Sequence, residues 1–194
     1  MLNVGLLKTH VGNGVRSSSM KKTAIAYWLI PAEPARTFFE RTIVDLAQRY
    51  DAPVFEPHMT IYVGSGRVDA AEEIIVKAVS CCRPIEVKTL GVRHSGEFIK
   101  TLFVQFALNR KLERLNEMIR SAAQDSSNYQ LKPHLSLLYK KMSALARRQL
   151  AGSIEVPFSD VTFDSIKAVR CASPTKRPSD VQAWHVVARK SLDE

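Results

Sequence analysis

Hydrophobic positions change period several times along the chain, and each change predicts an element. Residues 23–30, Thr-Ala-Ile-Ala-Tyr-Trp-Leu-Ile, are apolar, rich in strand formers and closed by Pro31, which predicts a buried strand. Over 33–50 the spacing becomes helical, with Ala35, Phe38, Phe39, Ile43, Leu46, Ala47 and Tyr50 on one face. His58 to Val63 returns to strand and stops at Gly64-Ser65-Gly66, and 69–80 is helical again through Ala70, Ile74, Ile75, Ala78 and Val79. Strands over 84–92 and 100–108 flank a turn at His94-Ser95-Gly96-Glu97, a hairpin signature. Asn109 is placed to cap a helix over 110–123 that turns Leu112, Leu115, Met118, Ile119 and Ala122 inward. A strand over 133–138 and a helix capped by Ser143 follow. Strands at 156–163, 165–171 and 182–188 complete the set, with a polar, basic loop at 173–180 before the last. Mixed order with hairpins predicts an α+β fold with largely antiparallel sheets.

Composition narrows the class. The 194 residues are 45% hydrophobic, enough for one substantial core, and no apolar run is long enough to cross a membrane as a helix. Four of the nine net positive charges fall in residues 1–22, where there is no acid. That stretch reads as a disordered basic extension preceding a single domain over 23–194. The remaining positive balance favours an anionic partner, either a small nucleotide or an RNA end. Cys81, Cys82 and Cys171 make neither a disulfide framework nor a zinc pattern, so reduced thiols, a cytoplasmic location, no metal and no cofactor are expected. A soluble monomer with no membrane partner is the accompanying expectation.

The candidate chemistry lies in a repeated phrase. Pro57-His58-Met59-Thr60-Ile61 and Pro133-His134-Leu135-Ser136-Leu137 share the pattern Pro-His-apolar-hydroxyl-apolar, 76 residues apart. On a strand, His58 and Thr60 share one face and Met59 and Ile61 the other, and the second phrase divides likewise. Each strand would bury an apolar face while offering an imidazole and a hydroxyl side by side. Two imidazoles facing one phosphodiester could serve as base for an incoming water and acid for the leaving oxygen. Hydroxyls at Thr60 and Ser136 could donate to non-bridging oxygens. No histidine spacing of a metal motif is present.

On these residues the sequence resembles the 2H phosphoesterases, a superfamily named for two His-x-Thr/Ser motifs on pseudo-symmetric lobes. Within it the chain is most similar to the cyclic phosphodiesterases of plant and yeast type. The phrases that carry this are Tyr27-Trp28-Leu29-Ile30-Pro31, the two histidine motifs, the continuation Leu138-Tyr139, and Ala183-Trp184-His185-Val186-Val187-Ala188. The resemblance implies a bilobal α+β fold with a pseudo-two-fold axis. Two mostly antiparallel sheets would line a central cleft, with the helices outside. It also implies hydrolysis of ADP-ribose 1″,2″-cyclic phosphate and of nucleoside 2′,3′-cyclic phosphates to 2′-phosphates. By that analogy His134 activates water and His58 protonates the leaving oxygen; the near-identical phrases do not themselves order the two roles.

The same resemblance brings Tyr139 near substrate. Strand parity sets it opposite His134, so it reaches the cleft only where the strand ends or bends. Trp28 is a candidate for stacking on a base. The competing expectations are an RNA-end enzyme of the same fold, a 2′–5′ RNA ligase or a 3′ exonuclease, and an inactive RNA- or nucleotide-binding module.

Overall fold

The computed structural model describes residues 22–192 except Gly66, Cys81 and Ser126. Apart from Lys22, the expected N-terminal extension lies outside the described residues. Among the described residues, seven strands and five α-helices follow in the order β1 (Lys22–Pro31), α1 (Ala35–Tyr50), β2 (Met59–Ser65), α2 (Ala71–Val79), β3 (Ile85–His94), β4 (Leu102–Phe106), α3 (Arg110–Ala123), β5 (His134–Leu138), α4 (Ala144–Ser153), β6 (Asp160–Ser173), α5 (Pro178–Gln182) and β7 (His185–Ser191). Every strand pair is antiparallel, in the order β1-β2-β5-β4-β3-β6-β7, and β1 also pairs with β6. The expected α+β class is therefore what the chain adopts, but the strands expected as two sheets form one seven-stranded sheet, because β1 pairs with both β2 and β6 and β5 with both β2 and β4.

Why β1 reads as an unbroken apolar run is visible in its neighbours. It lies between β2 and β6, and both of its faces are covered. Ile25, Tyr27 and Leu29 join the main core with Phe39 and Leu46 of α1, Ile74 and Ile75 of α2, Leu112 and Ile119 of α3, and Leu150 of α4. The alternate positions Ala26, Trp28 and Ile30 pack with Val169 on the other face, next to Val63, Cys171 and Trp184. One face of the sheet thus carries helices, and the other is left for a cleft.

The helix starts follow the capping residues. The Asn109 side chain accepts from Leu112 N at 3.0 Å, and the Ser143 hydroxyl oxygen accepts from Ala146 N at 3.2 Å. Each satisfies an amide that the first helical turn leaves without an intrahelical partner.

Three segments differ from the pattern expected of the sequence. The strands anticipated at 156–163 and 165–171 are one strand, β6, and 154–159 is not strand. Asp164 does not break it, because its carboxylate accepts from the Ser165 hydroxyl at 3.0 Å and its carbonyl from Leu192 N at 2.7 Å. The loop at 173–180 contains the start of α5. Pro178 opens this short helix, and Asp180 accepts from the backbone of Lys176 at 2.9 Å and Arg177 at 3.3 Å, which delays β7 to His185. Between β3 and β4, a single 3-10 turn over Phe98–Lys100 lengthens the hairpin connection.

Strand β2 meets β5 at a single partner pair, Met59↔Leu135. Past that point its carbonyls find other donors, as buried backbone groups must. Tyr129 Oη donates to Thr60 O at 2.9 Å, and Asn116 Nδ2 to Ile61 O at 2.7 Å. Asp125 accepts from Ser65 N at 2.7 Å and from the Tyr62 hydroxyl. Its carboxylate sits so close to Gly64 that a Cβ there would lie 2.1 Å from Oδ2. The loop that leads into the second motif is in this way tied to the strand that carries the first.

Candidate active site

An antiparallel pair has a local two-fold axis, and here it passes between Met59 and Leu135. One residue back from each partner is a histidine, His58 or His134. One residue forward is a hydroxyl, Thr60 or Ser136. Met59 and Leu135 are fully buried in the main core, so the four polar side chains leave from the opposite face. The same register sets Thr60 across from His134 and Ser136 across from His58. The two phrases, distant in the chain, are thereby brought to one place.

Both imidazoles are held in the same manner. His58 Nδ1 lies 2.7 Å from the carbonyl of Glu56, and His134 Nδ1 lies 2.6 Å from the carbonyl of Lys132. A carbonyl only accepts, so each Nδ1 carries its proton, and in the neutral ring Nε2 is the free acceptor. In both cases the acceptor is the residue two positions back, across Pro57 or Pro133.

The surroundings of the two rings differ. His58 is 6% exposed and stacks on Trp28, with ring centroids 3.7 Å apart and 13° between planes. Phe55 and Trp184 meet it edge-on at 6.2 and 5.8 Å. Burial in this box pushes its pKa down to about 4; the Glu56 carbonyl opposes the shift and the nearby charge of His134 adds to it. His134 is half-buried and meets the edge of Phe103 at 5.5 Å. Burial also lowers its pKa. The Lys132 carbonyl opposes that, the Lys100 ammonium lowers it further, and Glu97 raises it.

Glu56 has a second role through its side chain. Lys167 Nζ donates to its two carboxylate oxygens at 2.6 and 2.7 Å, and Arg36 Nη2 donates at 3.2 Å. Lys167 is also the β6 partner of Trp28. The segment that presents His58 is thus braced to β6, where its stacking partner is paired.

Trp28, His58, Thr60 and Tyr139 line one cavity of about 310 Å³, together with Tyr129, Trp184, Ile99 and the Cys171–Thr175 stretch. Trp28 is cross-strand partner to Thr60, and its ring lies against His58. Strand β5 ends at Leu138, which lets Tyr139 turn to the cavity, where it stacks on Phe55 at 3.9 Å. Its phenol pKa is pushed up by burial, partly opposed by the neighbouring Ser136 hydroxyl. Ser136 and His134 are outside that cavity's wall, and the Ser136 hydroxyl donates to Ile99 O at 2.8 Å.

Sequence reasoning singled out neither Phe55 nor Glu56, and it passed over Trp184, Lys167, Phe103 and Lys100 as site residues. The strand parity that selected Thr60 also selects Lys167 once β1 is paired with β6, but that pairing spans about 140 residues of chain. Trp184 arrives from a loop, and no local pattern marks it. His185 is exposed at the start of β7, His94 is half-buried at the end of β3, and His10 lies outside the described residues. Cys171 is a free thiol whose pKa burial raises to about 11. Among the described residues no three metal-ligating side chains cluster.

Two histidine motifs related by a local two-fold, on an antiparallel α+β frame, define a 2H phosphoesterase. Residues 23–192 match the family described as cyclic phosphodiesterase-like protein, and the chain belongs to that family. Among solved structures it is similar in fold to Escherichia coli LigT in its apo form, at 17% identity and a TM-score of 0.56, covering 90% of this chain and 99% of that one. The same protein complexed with 3′-AMP matches at 15% identity and a TM-score of 0.55, with the same coverage. TT0787 of Thermus thermophilus matches at 18% identity and a TM-score of 0.52, over 87% of this chain and 97% of that one. No curated protein matches the chain in sequence.

Proposed function

We propose that this phosphoesterase hydrolyses cyclic phosphates, nucleoside 2′,3′-cyclic phosphates and ADP-ribose 1″,2″-cyclic phosphate, by proton transfer between water, phosphate ester and two imidazoles. The observation that carries the reading is the matched pair of rings. Each donates Nδ1–H to a backbone carbonyl and keeps Nε2 for the cleft. An in-line displacement at phosphorus needs a base on one side and an acid on the other, and two imidazoles across a two-fold provide both.

The unequal surroundings support an order of roles. The aromatic cavity beside His58 suits a nucleoside, whose ribose keeps the leaving oxygen, so His58 is the acid. His134, the more accessible ring, is the base that takes a proton from water. His58 is neutral in the free protein near pH 7. The bound phosphate anion, an opposite charge within a few ångströms, raises its pKa and makes it a proton donor only in the complex. Thr60 and Ser136 donate to the non-bridging oxygens, Ser136 by exchanging its bond to Ile99 O. Trp28 and Tyr139 shape the nucleoside side.

A protein of this fold solved with 3′-AMP fits a nucleotide in the cleft. The net charge of +9 favours action on an RNA end as the competing reading. We read the chain as a monomer of the cytoplasm; no helix among the described residues is long and apolar enough to cross a membrane.

The test is turnover. Each nucleoside 2′,3′-cyclic phosphate and the ADP-ribose cyclic phosphate are incubated with the protein and EDTA, and phosphorus NMR identifies the monoester formed. A 2′-phosphate product at a steady rate is expected. A panel left intact would overturn the proposal, and a steep salt dependence of oligonucleotide binding would favour the RNA-end reading.

A further inference from the structure

The two ends of the site differ in charge as well as in shape. At the His58 end the cations Lys167 and Arg36 are both engaged by Glu56. At the His134 end stands Lys100, and among the described residues no carboxylate lies within ion-pair distance of it. Its ammonium lies 4.5 Å over the ring of Phe103, and that ring meets His134 edge-on at 5.5 Å. Phe103 is the cross-strand partner of Ser136, and directly opposed residues share one face of the sheet. Leu102 and Val104, on either side of it, belong to the main core, which turns Phe103 to the cleft. The Lys100 ammonium is therefore on the cleft side of β4, over the ring that borders the second histidine and the second hydroxyl.

The turn that presents Lys100 is fastened to the strand of the second motif. Ile99 O accepts from the Ser136 hydroxyl at 2.8 Å, Thr101 Oγ1 donates to Lys140 O at 2.6 Å, and Lys100 O itself accepts from the Ser95 hydroxyl at 2.7 Å. The backbone on both sides of Lys100 thus moves with His134 and Ser136. Burial lowers the pKa of the ammonium; Glu97 opposes the shift and Lys132 adds to it. A half-buried cation without a counter-ion gains from an anion that arrives with the substrate.

The reacting phosphodiester is that anion. In its hydrolysis the water oxygen bonds to phosphorus and gives one proton to His134 Nε2. The breaking P–O bond leaves its electron pair on the ribose oxygen, which takes the His58 proton. Negative charge develops meanwhile on the two non-bridging oxygens, where a fixed cation is worth most. Thr60 and Ser136 offer those oxygens neutral donors only. We infer that Lys100 is a further catalytic residue, whose ammonium approaches from the Phe103 side, pairs with one non-bridging oxygen of the reacting phosphate and keeps its protons throughout. This rests on the cyclic-phosphate reading above and adds to it the charge that the two imidazoles and two hydroxyls lack. It also makes the two non-bridging oxygens unequal, one held by hydroxyls alone and the other by a cation.

That inequality supplies the test. Lys100→Met should lower kcat/KM for uridine 2′,3′-cyclic phosphate by about ten- to a hundredfold, the size of one charge-assisted hydrogen bond, and Lys100→Arg should restore part of it. The two diastereomers of uridine 2′,3′-cyclic phosphorothioate each carry sulfur in place of one non-bridging oxygen. The ratio of their kcat/KM values should change several-fold between the wild type and Lys100→Met, because only one of them puts sulfur against the ammonium. Wild-type kcat/KM in Lys100→Met, or an equal loss on both diastereomers that leaves the ratio unchanged, would overturn the assignment; the second result would make Lys100 a support for the turn. Calorimetry with uridine 2′-monophosphate against uridine reads the contact without turnover. The phosphate should tighten binding in the wild type, and Lys100→Met should lose several-fold of that gain. If no cyclic phosphate is hydrolysed but this dependence holds, the reaction is wrong and the contact stands. A gain that is absent, or equal in the two proteins, overturns the contact whatever the activity.

Discussion

Met59 and Leu135 face each other across β2 and β5, and each directly follows a motif histidine. Both side chains are fully buried in the main core. The pair therefore sets the spacing of the two rings while it helps hold the lobes together. Met59→Ala or Leu135→Ala should each destabilise the fold by about 2–5 kcal/mol, the cost of a large-to-small change in a packed core. Turnover by the folded fraction should fall as well. Denaturant unfolding alongside kcat measures both, and a variant that loses stability but keeps wild-type kcat would show that the pair does not set ring spacing.

On the proposed mechanism, replacing either imidazole removes a proton-transfer group. His58→Ala and His134→Ala should each lower kcat by about 10²–10⁴-fold without unfolding the protein. The hydroxyls differ from one another. Ser136→Ala also strips the bond to Ile99 O and should cost about 1 kcal/mol of stability, whereas no such bond is lost in Thr60→Val. Near wild-type turnover in either histidine variant contradicts the acid/base assignment.

Both histidines have lowered pKa values in the free protein, His58 at about 4. The profile of kcat/KM, which reports free-enzyme groups, should be a bell with its maximum below pH 6.5. In the complex the phosphate anion favours the imidazolium, so the bell for kcat should lie at higher pH. A kcat/KM maximum above pH 7 is incompatible with the buried His58 described here.

The same shift makes the fold sensitive to acid. With its pKa lowered, folded His58 binds fewer protons than the unfolded chain between pH 6.5 and 4. Stability is therefore full above pH 6.5 and falls as pH drops through that window, by on the order of 3 kcal/mol for His58. His134 acts in the same direction. Urea midpoints across this range should show the loss in the wild type and a shallower slope in His58→Gln; identical slopes in the two proteins would be inconsistent with it.

Glu56 and Lys167 should behave as one unit. Glu56→Gln leaves the mostly buried Lys167 without its counter-charge, and Lys167→Met leaves Glu56 with Arg36 alone. Each should lower kcat several-fold with KM little changed, because His58 loses its brace while substrate contacts remain. The double variant should be less impaired than the sum, with a coupling of about 1–3 kcal/mol in stability. Strict additivity would mean that the ion pair does not brace the segment.

Much of the fold was readable from periodicity. The face of α3 marked by Leu112, Leu115 and Ile119 is buried, and the Asn109 and Ser143 caps are where capping chemistry puts them. Strand parity put His58 with Thr60 and His134 with Ser136, and the β2–β5 register brings those pairs together. It also placed Tyr139 on the wrong face unless the strand ended, and β5 ends one residue before it. What was hidden depends on partners far away in the chain. Asp164 reads as a break until its hydrogen bonds are seen, and α5 is too short to show a period. The aromatic box around His58 combines β1, the residues before β2 and the loop before β7, so no local pattern announces it.

Because each imidazole is anchored to a main-chain oxygen, the residue that supplies that oxygen keeps its side chain for other work. An acid fills the position in one lobe and a base in the other, and both orient a ring equally well. Peptide geometry secures the tautomer, so the two lobes can diverge in charge, one toward a rigid aromatic wall and the other toward a cationic mouth. The asymmetry that tells one end of a ligand from the other can arise without disturbing the protonation of either ring.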